Sequence, residues 1–551
     1  MLNNVKDLAF GAKGDGSTDD RLAIQKAIKD AAADPTKAGI FFPAGTYRVS
    51  KVGTLDGERS QPCSLELSGV QDFMVMGEGP RSVVKLLNEP ESTGDWHVFL
   101  LRNDCQRIVF KDLVIDGNRI GLLNADEHSA GIHAESGTED LVVDRCILRN
   151  CFGDGLRMLR TNSPQRKVKR LRIENCLFQK NKRSGVAIQR GVEQIIIANC
   201  VFDATESDNS IDIEPSDTDM PADVLIQGCI INHTNPTEAV HLAGTSHNDP
   251  LVRCKFTDNI VLGGAVFCVD VDQLTIQNNI VFVTRHVSPL ELHLGGDSVV
   301  ITGNLIVTEN IASEAVIALK GSDLSTKEIN PHPMRRALVA NNLCIASSGS
   351  GITCESGNGI AIQGNVIVAT DSCLSGISLK SAVGAMDNIA VRDNDITFRE
   401  ETDGKIGRWL FGLFIGATSP DAASPHPIGH LSVTGNSIRN AATGVSFENK
   451  NFTQTPICAL NRIGDDVETP FEGIGELPTR SVVVGGATSR GGTTPGSGAG
   501  RFIAGLGNPN NKLTGVPGNV GDIFQRLDGT PGKTLYVKEK GDGTKTGWTA
   551  K

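Results

Sequence analysis

Two acids two residues apart, Asp212 and Glu214, stand in the segment NSIDIEP, and His241 holds the matching place in a similar segment, AVHLAG. On a β-strand, residues i and i+2 project from one face, with Cα atoms roughly 6.6–7 Å apart. Carboxylates this close can split their pKa values, leaving one as proton donor and the other as base. Glycoside hydrolysis needs that division. This reading gives Glu214 the acid role and Asp212 the base or nucleophile role, interchangeably. His241 tunes or orients Asp212. The spacing fits either stereochemical course, with a slight lean to inversion.

The neighbours of these residues come from a repeat. Twelve segments read small, apolar, any, apolar, any, from GIHAES at Gly131 to GVSFEN at Gly444. Stacked as strands about 4.8 Å apart, they align their two "any" positions in columns on one outward face. The first column reads His133, Arg157, Ala187, Asp212, His241, Phe267, Glu291, Ile317, Thr353, Ser378, Phe414, Ser446. The second reads Glu135, Leu159, Gln189, Glu214, Ala243, Val269, His293, Leu319, Glu355, Lys380, Gly416, Glu448. Ionisable side chains crowd the first five segments. Arg157, Gln189, Arg190, His133 and Glu135 are therefore candidate substrate-binding residues beside the acid pair. Glu291 and His293 form a smaller second cluster, and Trp409 in RWLFGLFIG is a candidate sugar platform. A charged residue on an outward strand face is most often merely solvated, and an Asp212–His241 ladder pair is the plain alternative. It is the grouping on consecutive segments that points to function.

A second pattern positions these strands. Six residues recur as apolar, any, apolar, any, any, Asn or Cys: LVVDRC ending at Cys146, LRIENC at Cys176, IIIANC at Cys200, VLIQGC at Cys229, then LTIQNN at Asn279 through LSVTGN at Asn436. Most returns take 20 to 30 residues, with longer ones before Asn342 and Asn436. Period-two alternation is a strand with one buried face, and a fixed return stacks each strand on its own copy. The expected fold is an all-β parallel β-helix of about 12 coils with two strands per coil. Stacked Asn amides can hydrogen-bond along the axis. The four Cys are read as stacked copies rather than a metal site, since ligands in a line make no tetrahedron. No cofactor or metal is expected: NSIDIEPSDTD fits no calcium loop, and GAKGDG is a turn rather than a phosphate loop.

At the N-terminus, STDDRLAIQKAIKDAA from Ser17 reads as a capping helix with Ala23, Ile24, Ala27 and Ile28 on one face. The run NVKDLAFGAKGDGSTDD, then AIQKAI, then IFFPAGTYRV, resembles the opening of the pectate-lyase-like superfamily. The resemblance implies a right-handed β-helix and a carbohydrate-active protein such as a phage tailspike, lyase, C5-epimerase or hydrolase. The Asp-Pro-His-Glu motif of alginate epimerases is absent, as is the polygalacturonase set. The only tyrosines, Tyr47 and Tyr536, lie outside the groove. The division expected is a cap over 1–50, the β-helix over 51–479, a Gly/Ser/Thr-rich linker over 480–500, and a small β module over 501–551. The module's GDIFQR, TLYVKE and TGW resemble the C-terminal modules of phage tail fibres, which implies a homotrimer.

The net charge of −11 argues against nucleic acid as a general partner. No apolar run reaches membrane-spanning length, and no signal peptide is visible, which suggests cytosolic synthesis with extracellular action. The 13 Cys read as reduced, buried thiols. The leading expectation is a polysaccharide-cleaving glycoside hydrolase. The alternatives are a uronate lyase, epimerase or fructotransferase-type enzyme on the same groove, and a receptor-binding fibre without catalysis.

Overall fold

Alternating apolar residues and a regular return are what a coil of parallel strands requires, and the computed structural model is built from that repeat. It describes residues 1–51, 63–89, 94–122, 127–161, 166–205, 209–214, 219–233, 238–245, 249–284, 288–309, 314–321, 333–370, 372–381, 384–399, 410–416, 426–448, 451–454, 456–464, 467, 469–472, 482–486, 502–505, 510, 523–526, 533, 535–540 and 544–551. The chain divides into two units, Met1–Thr275 and Ile276–Lys551. Both consist of right-handed β-helix coils, and the second also carries a small C-terminal sheet.

In Met1–Thr275 each coil has three strands rather than the expected two. One coil runs Val168–Glu174, Leu177–Gln179 and Val186–Ile188; the next runs Val192–Ala198, Val201–Thr205 and Ile211–Ile213. Parallel register stacks Leu171 on Ile195 and Ile173 on Ile197, and both pairs point into the core. The extra strand follows the Cys bend directly. It is hidden in sequence because it is short and opens with an exposed aliphatic residue, such as Val201 or Ile230. All thirteen cysteines of the chain are buried and free.

Another column lies on the outer surface of this unit. Asp72, Arg107, Asp140, Arg170, Asp223 and Arg253 all have left-handed φ of 53–59°. The short polar side chain of Asp tolerates that region. The arginines answer coil by coil, Arg107 to Asp72 at 2.6 Å, Arg170 to Asp140 at 2.6 Å and Arg253 to Asp223 at 2.5 Å.

The capping helix spans Arg21–Ala33, four residues later than the expected start. Its buried face is Ile24, Gln25, Ala27, Ile28 and Ala31, with Gln25 in place of Ala23. Gln25 is drawn inward because its amide exchanges two 2.9 Å hydrogen bonds with the Glu66 backbone. Asp20 accepts from the Lys13 and Gly14 amides and so closes the GAKGDG turn instead of capping the helix.

In Ile276–Lys551 the inward rows are equally regular: Val299, Ala337, Ile360, Ile389 and Leu431 share one register. Here the bend residue is Asn. The side-chain amide of Asn342 donates to the Asn365 side-chain oxygen at 2.9 Å and to the Ile301 carbonyl at 3.0 Å. The same pattern links Asn279, Asn304, Asn342, Asn365, Asn394, Asn436 and Asn461. Burial demands this saturation, because an unpaired amide in the core costs about 1–3 kcal/mol.

One strand sits a residue away from its expected register. Ile317 pairs with Leu290 and with Ile352, so it points inward; Ala318 and Lys320 occupy the outward positions assigned above to Ile317 and Leu319. AVIAL is apolar throughout, so period two cannot choose its face, and a slip of one residue inverts every side chain. The coil also continues past the expected boundary at 479, since Val482–Gly486 pairs with Ile457–Ile463. Most of the expected linker lies outside the described residues. Beyond it, Phe502–Gly505, Ile523–Arg526, Leu535–Lys538 and Trp548–Ala550 form a separate sheet around Phe524, Tyr536 and Trp548. Among the described residues no helix is long and apolar enough to cross a membrane.

Candidate functional site

The register in Met1–Thr275 sets the column. His133 pairs with Arg157, Arg157 with Ala187, Ala187 with Asp212, Asp212 with His241, and His241 with Phe267. Gln189 and Glu214 each follow a strand of this sheet, and their backbone amides bond to the preceding coil at Met158 and Ile188. The acid pair and its neighbours are therefore placed by strand register.

The centre of the group is Arg183, which the sequence reading did not single out. It lies in the turn before Val186–Ile188. Nη1 donates to Asp154 at 3.1 Å, and Nη2 donates to Asp212 at 3.3 Å and Glu214 at 2.5 Å. A planar guanidinium fork suits several carboxylates at once. Gln189 links Glu214 to Arg157: its amide donates to Glu214, and its oxygen accepts from Arg157 at 3.1 Å. His241 Nδ1 stands 3.2 Å from Asp212 Oδ1.

Because Asp212 and Glu214 both close on one Arg183 nitrogen, a guanidinium occupies the gap where inverting hydrolysis would hold its water. Charge is distributed unevenly among the acids. Burial of Glu214 opposes its charge, but Arg183's charge and hydrogen bond, with Gln189, hold the carboxyl below its ordinary value. Burial pushes Asp154 up to about 7 against the pull of Arg183 and Arg157. Burial also works against charge on His241, yet the Asp212 hydrogen bond carries its pKa above the ordinary value. The expected donor, Glu214, is thus the acid held ionised, and the proton-retaining carboxyl is Asp154. Asp154 is wholly enclosed, whereas the side chains of Glu214 and His241 are each 22% exposed.

Arg157 has a different standing. It is only 7% exposed, yet the groups that accept from it are neutral: the His128 carbonyl at 3.2 Å and the Gln189 amide oxygen. Its Nε is buried without a hydrogen-bond partner.

The other expected residues divide. His133 does not face a groove. It is fully enclosed, stacked on His97 at 4.3 Å, and burial keeps its pKa well below the ordinary value. Glu135 lies 3.5 Å from His133, and burial raises its pKa. Arg190 donates from Nε to the Arg160 carbonyl at 3.1 Å. Trp409 lies outside the described residues. Glu291 and His293 pair with each other in Ile276–Lys551, and Lys320 joins Glu291 at 2.5 Å. Among the described residues no His, Cys, Asp and Glu group is arranged to hold a metal ion.

Comparison with known proteins agrees with this architecture. A family model described as "Rhamnogalacturonase A/epimerase, pectate lyase-like" matches residues 2–67, and one described as "Right handed beta helix region" matches 99–222. The N-terminal segment is thus pectate-lyase-like, and the repeats are those of a right-handed β-helix. The chain is 28% identical over 211 residues to "Mannuronan C5-epimerase AlgE4" of Azotobacter vinelandii, covering 37% of this chain and 34% of that protein. It is 60% identical over 125 residues to "Alginate lyase 7" of the same organism, covering 22% and 13%. The matches to these curated relatives therefore span about a third or less of their lengths. The A-module of A. vinelandii mannuronan C-5 epimerase AlgE6 aligns with a TM-score of 0.41 at 16% identity, over 83% of this chain and 99% of that one.

Proposed function

We propose that the Arg157–Glu214–His241 site acts on an acidic polysaccharide by proton transfer at the carbon beside a uronate carboxylate. The observation that carries this reading is Arg157, a buried guanidinium without a hydrogen-bonded carboxylate. Burial works against the charge of Arg157 even with acids nearby, and an incoming carboxylate bonded to it would offset that cost. The names of the relatives, mannuronan epimerases and an alginate lyase, point to the same substrate class.

In this mechanism Arg157 binds the uronate carboxylate and stabilises the charge that develops there when the neighbouring C–H is broken. Glu214, ionised and linked to Arg157 through Gln189, takes the proton. His241, protonated and oriented by Asp212, delivers one. If it protonates the glycosidic oxygen, the C–O bond breaks and a C4–C5 double bond forms. If it returns a proton to the opposite face of the carbon, the sugar is inverted. Glu214 as base reverses the role assigned from sequence, and Asp212 becomes a positioning residue.

The test is incubation with polyuronates in heavy water. Ultraviolet absorbance of an unsaturated uronate means elimination, and deuterium at C5 without chain cleavage means inversion. New reducing ends without either would support hydrolysis and sink this reading. Glu214→Gln should lower kcat by about 10²–10⁴-fold, whereas Arg157→Gln should chiefly raise KM.

The partner we infer besides the polymer is a second copy of the chain, as in the homotrimer expected from sequence. Its support is an aliphatic face on Ile276–Lys551, where Ile280, Leu305, Leu343 and Val366 stack in register on the outer surface. Sedimentation of the full chain beside a Leu343→Lys/Val366→Lys variant tests this. A monomeric wild type, or an unchanged oligomer in the variant, rejects it.

A further inference from the structure

The unit Ile276–Lys551 contains a second ionic group that the mechanism above does not use. Register places Lys320, Glu355 and Lys380 in succession, since Leu319 pairs with Cys354 and Cys354 with Leu379. Glu314, just ahead of the strand Ala315–Leu319, closes on both lysines: Lys320 at 2.9 Å and Lys380 at 3.2 Å. Lys320 also holds Glu291, whose Oε1 His293 contacts as well.

Hydrogen-bond arithmetic shows what is missing. Each ammonium carries three donors. Lys320 spends two, on Glu291 and Glu314, and Lys380 spends one, on Glu314. Between them stands Glu355, only 6% exposed, with its Oε2 buried and without a hydrogen-bond partner. Burial and the charge of Glu314 push Glu355 up to about 7, against the pull of Lys320 and Lys380. The Glu355 O–H, when present, is spent on the Glu314 carboxylate, so the unused donors of the group are the ammonium hydrogens. Burial opposes charge on Glu314 too, but the two lysines hold it at about 2. The two ammonium groups keep unused donors, and the access side is marked by Glu314 and Lys380, whose side chains are partly exposed.

We propose that Lys320, Glu355 and Lys380 form a second binding site, which takes the carboxylate of an acidic sugar independently of the Arg157 site. An oligouronate carboxylate would accept from Lys380 and from the spare hydrogen of Lys320, and loss of the Glu355 charge beside them would favour it. A neutral sugar would leave the ammonium hydrogens without a charged acceptor. The titratable groups around Glu355 are Glu314, Lys320 and Lys380, with Glu291 and His293 behind Lys320. Binding should therefore tighten as the pH falls through the range in which Glu355 gains its proton.

The experiment is calorimetric titration of a short oligouronate into the full chain carrying Glu214→Gln, which removes turnover. Two binding events are expected. Arg157→Gln should remove one, and Lys380→Gln should weaken the other by about tenfold or more. Lys380→Arg should restore it, and Glu355→Gln should keep binding while abolishing its pH dependence. A neutral oligosaccharide of equal length should not compete. The inference is overturned if Lys380→Gln, folded as judged by its melting curve, leaves both events intact. It is equally overturned if the neutral sugar competes, or if Glu355→Gln retains the pH dependence. Loss of all binding in Arg157→Gln would sink this inference and leave the first site standing. An unchanged titration in Arg157→Gln, with loss in Lys380→Gln, would do the reverse.

Discussion

The two ionic groups use different cations, and the difference separates their behaviour. In Met1–Thr275 one arginine, Arg183, gathers Asp154, Asp212 and Glu214 on a single planar fork. In Ile276–Lys551 two lysines share Glu314, Lys320 also holds Glu291, and both keep hydrogens to spare. A guanidinium with three acids is a closed structural device that fixes its neighbours, and the open cation beside it is Arg157. Ammonium groups are compact point donors, so their cluster stays open to a further acceptor.

The bend ladders differ in the same sense. Asn342 and its neighbours are cross-linked amide to amide, whereas Cys146, Cys176, Cys200 and Cys229 contribute chiefly buried volume and weak thiol contacts.

The largest effect should come from breaking the Arg183 centre. Arg183→Met strands three acids in a buried place, and the expected loss is on the order of 3–5 kcal/mol, read by denaturant unfolding, with activity lost as well. A loss no greater than that of a surface substitution would mean the acids find other partners.

Next comes the asparagine ladder. Asn365→Leu leaves the Asn342 backbone and side-chain amides without their acceptor, at an expected cost of about 2–4 kcal/mol. Cys200→Ala should cost only about 1 kcal/mol. Equal losses would erase the distinction between the ladders.

Asp154 supplies the pH test. Its folded pKa of about 7 lies above its ordinary value of 3.8, so the native state binds more protons across that interval. Stability therefore falls as the pH rises from about 4 to 7. Relative to Asp154→Asn, the wild type should lose on the order of 4 kcal/mol over that range. A pH-independent difference between their melting curves would show that Asp154 is ionised throughout. The smallest effect belongs to the outer charge column: Arg170→Ala, on an exposed ion pair, should change stability by less than about 1 kcal/mol.

Legibility followed the repeat. Asp212, Glu214, Gln189, Arg157 and His241 were found from sequence because each occupies a fixed place in a period-two segment. Residues outside that place were not found. Arg183 and Asp154 precede their strand's repeating positions, and Glu314 precedes its strand in the same way. Lys320 was missed for another reason, since an unbroken apolar run concealed its face.

The chain's own pattern thus determined the coils, the inward rows, the Asn ladder and the outward column, because alternation and return length are local properties of the backbone. Tertiary structure alone decided that Arg183 stands among three acids, that Arg157 has no acid bonded to it, and that His133 is sealed. Those facts depend on which turn reaches over which coil and on how far burial outweighs a neighbouring charge. Neither is encoded in the spacing of residues along the chain.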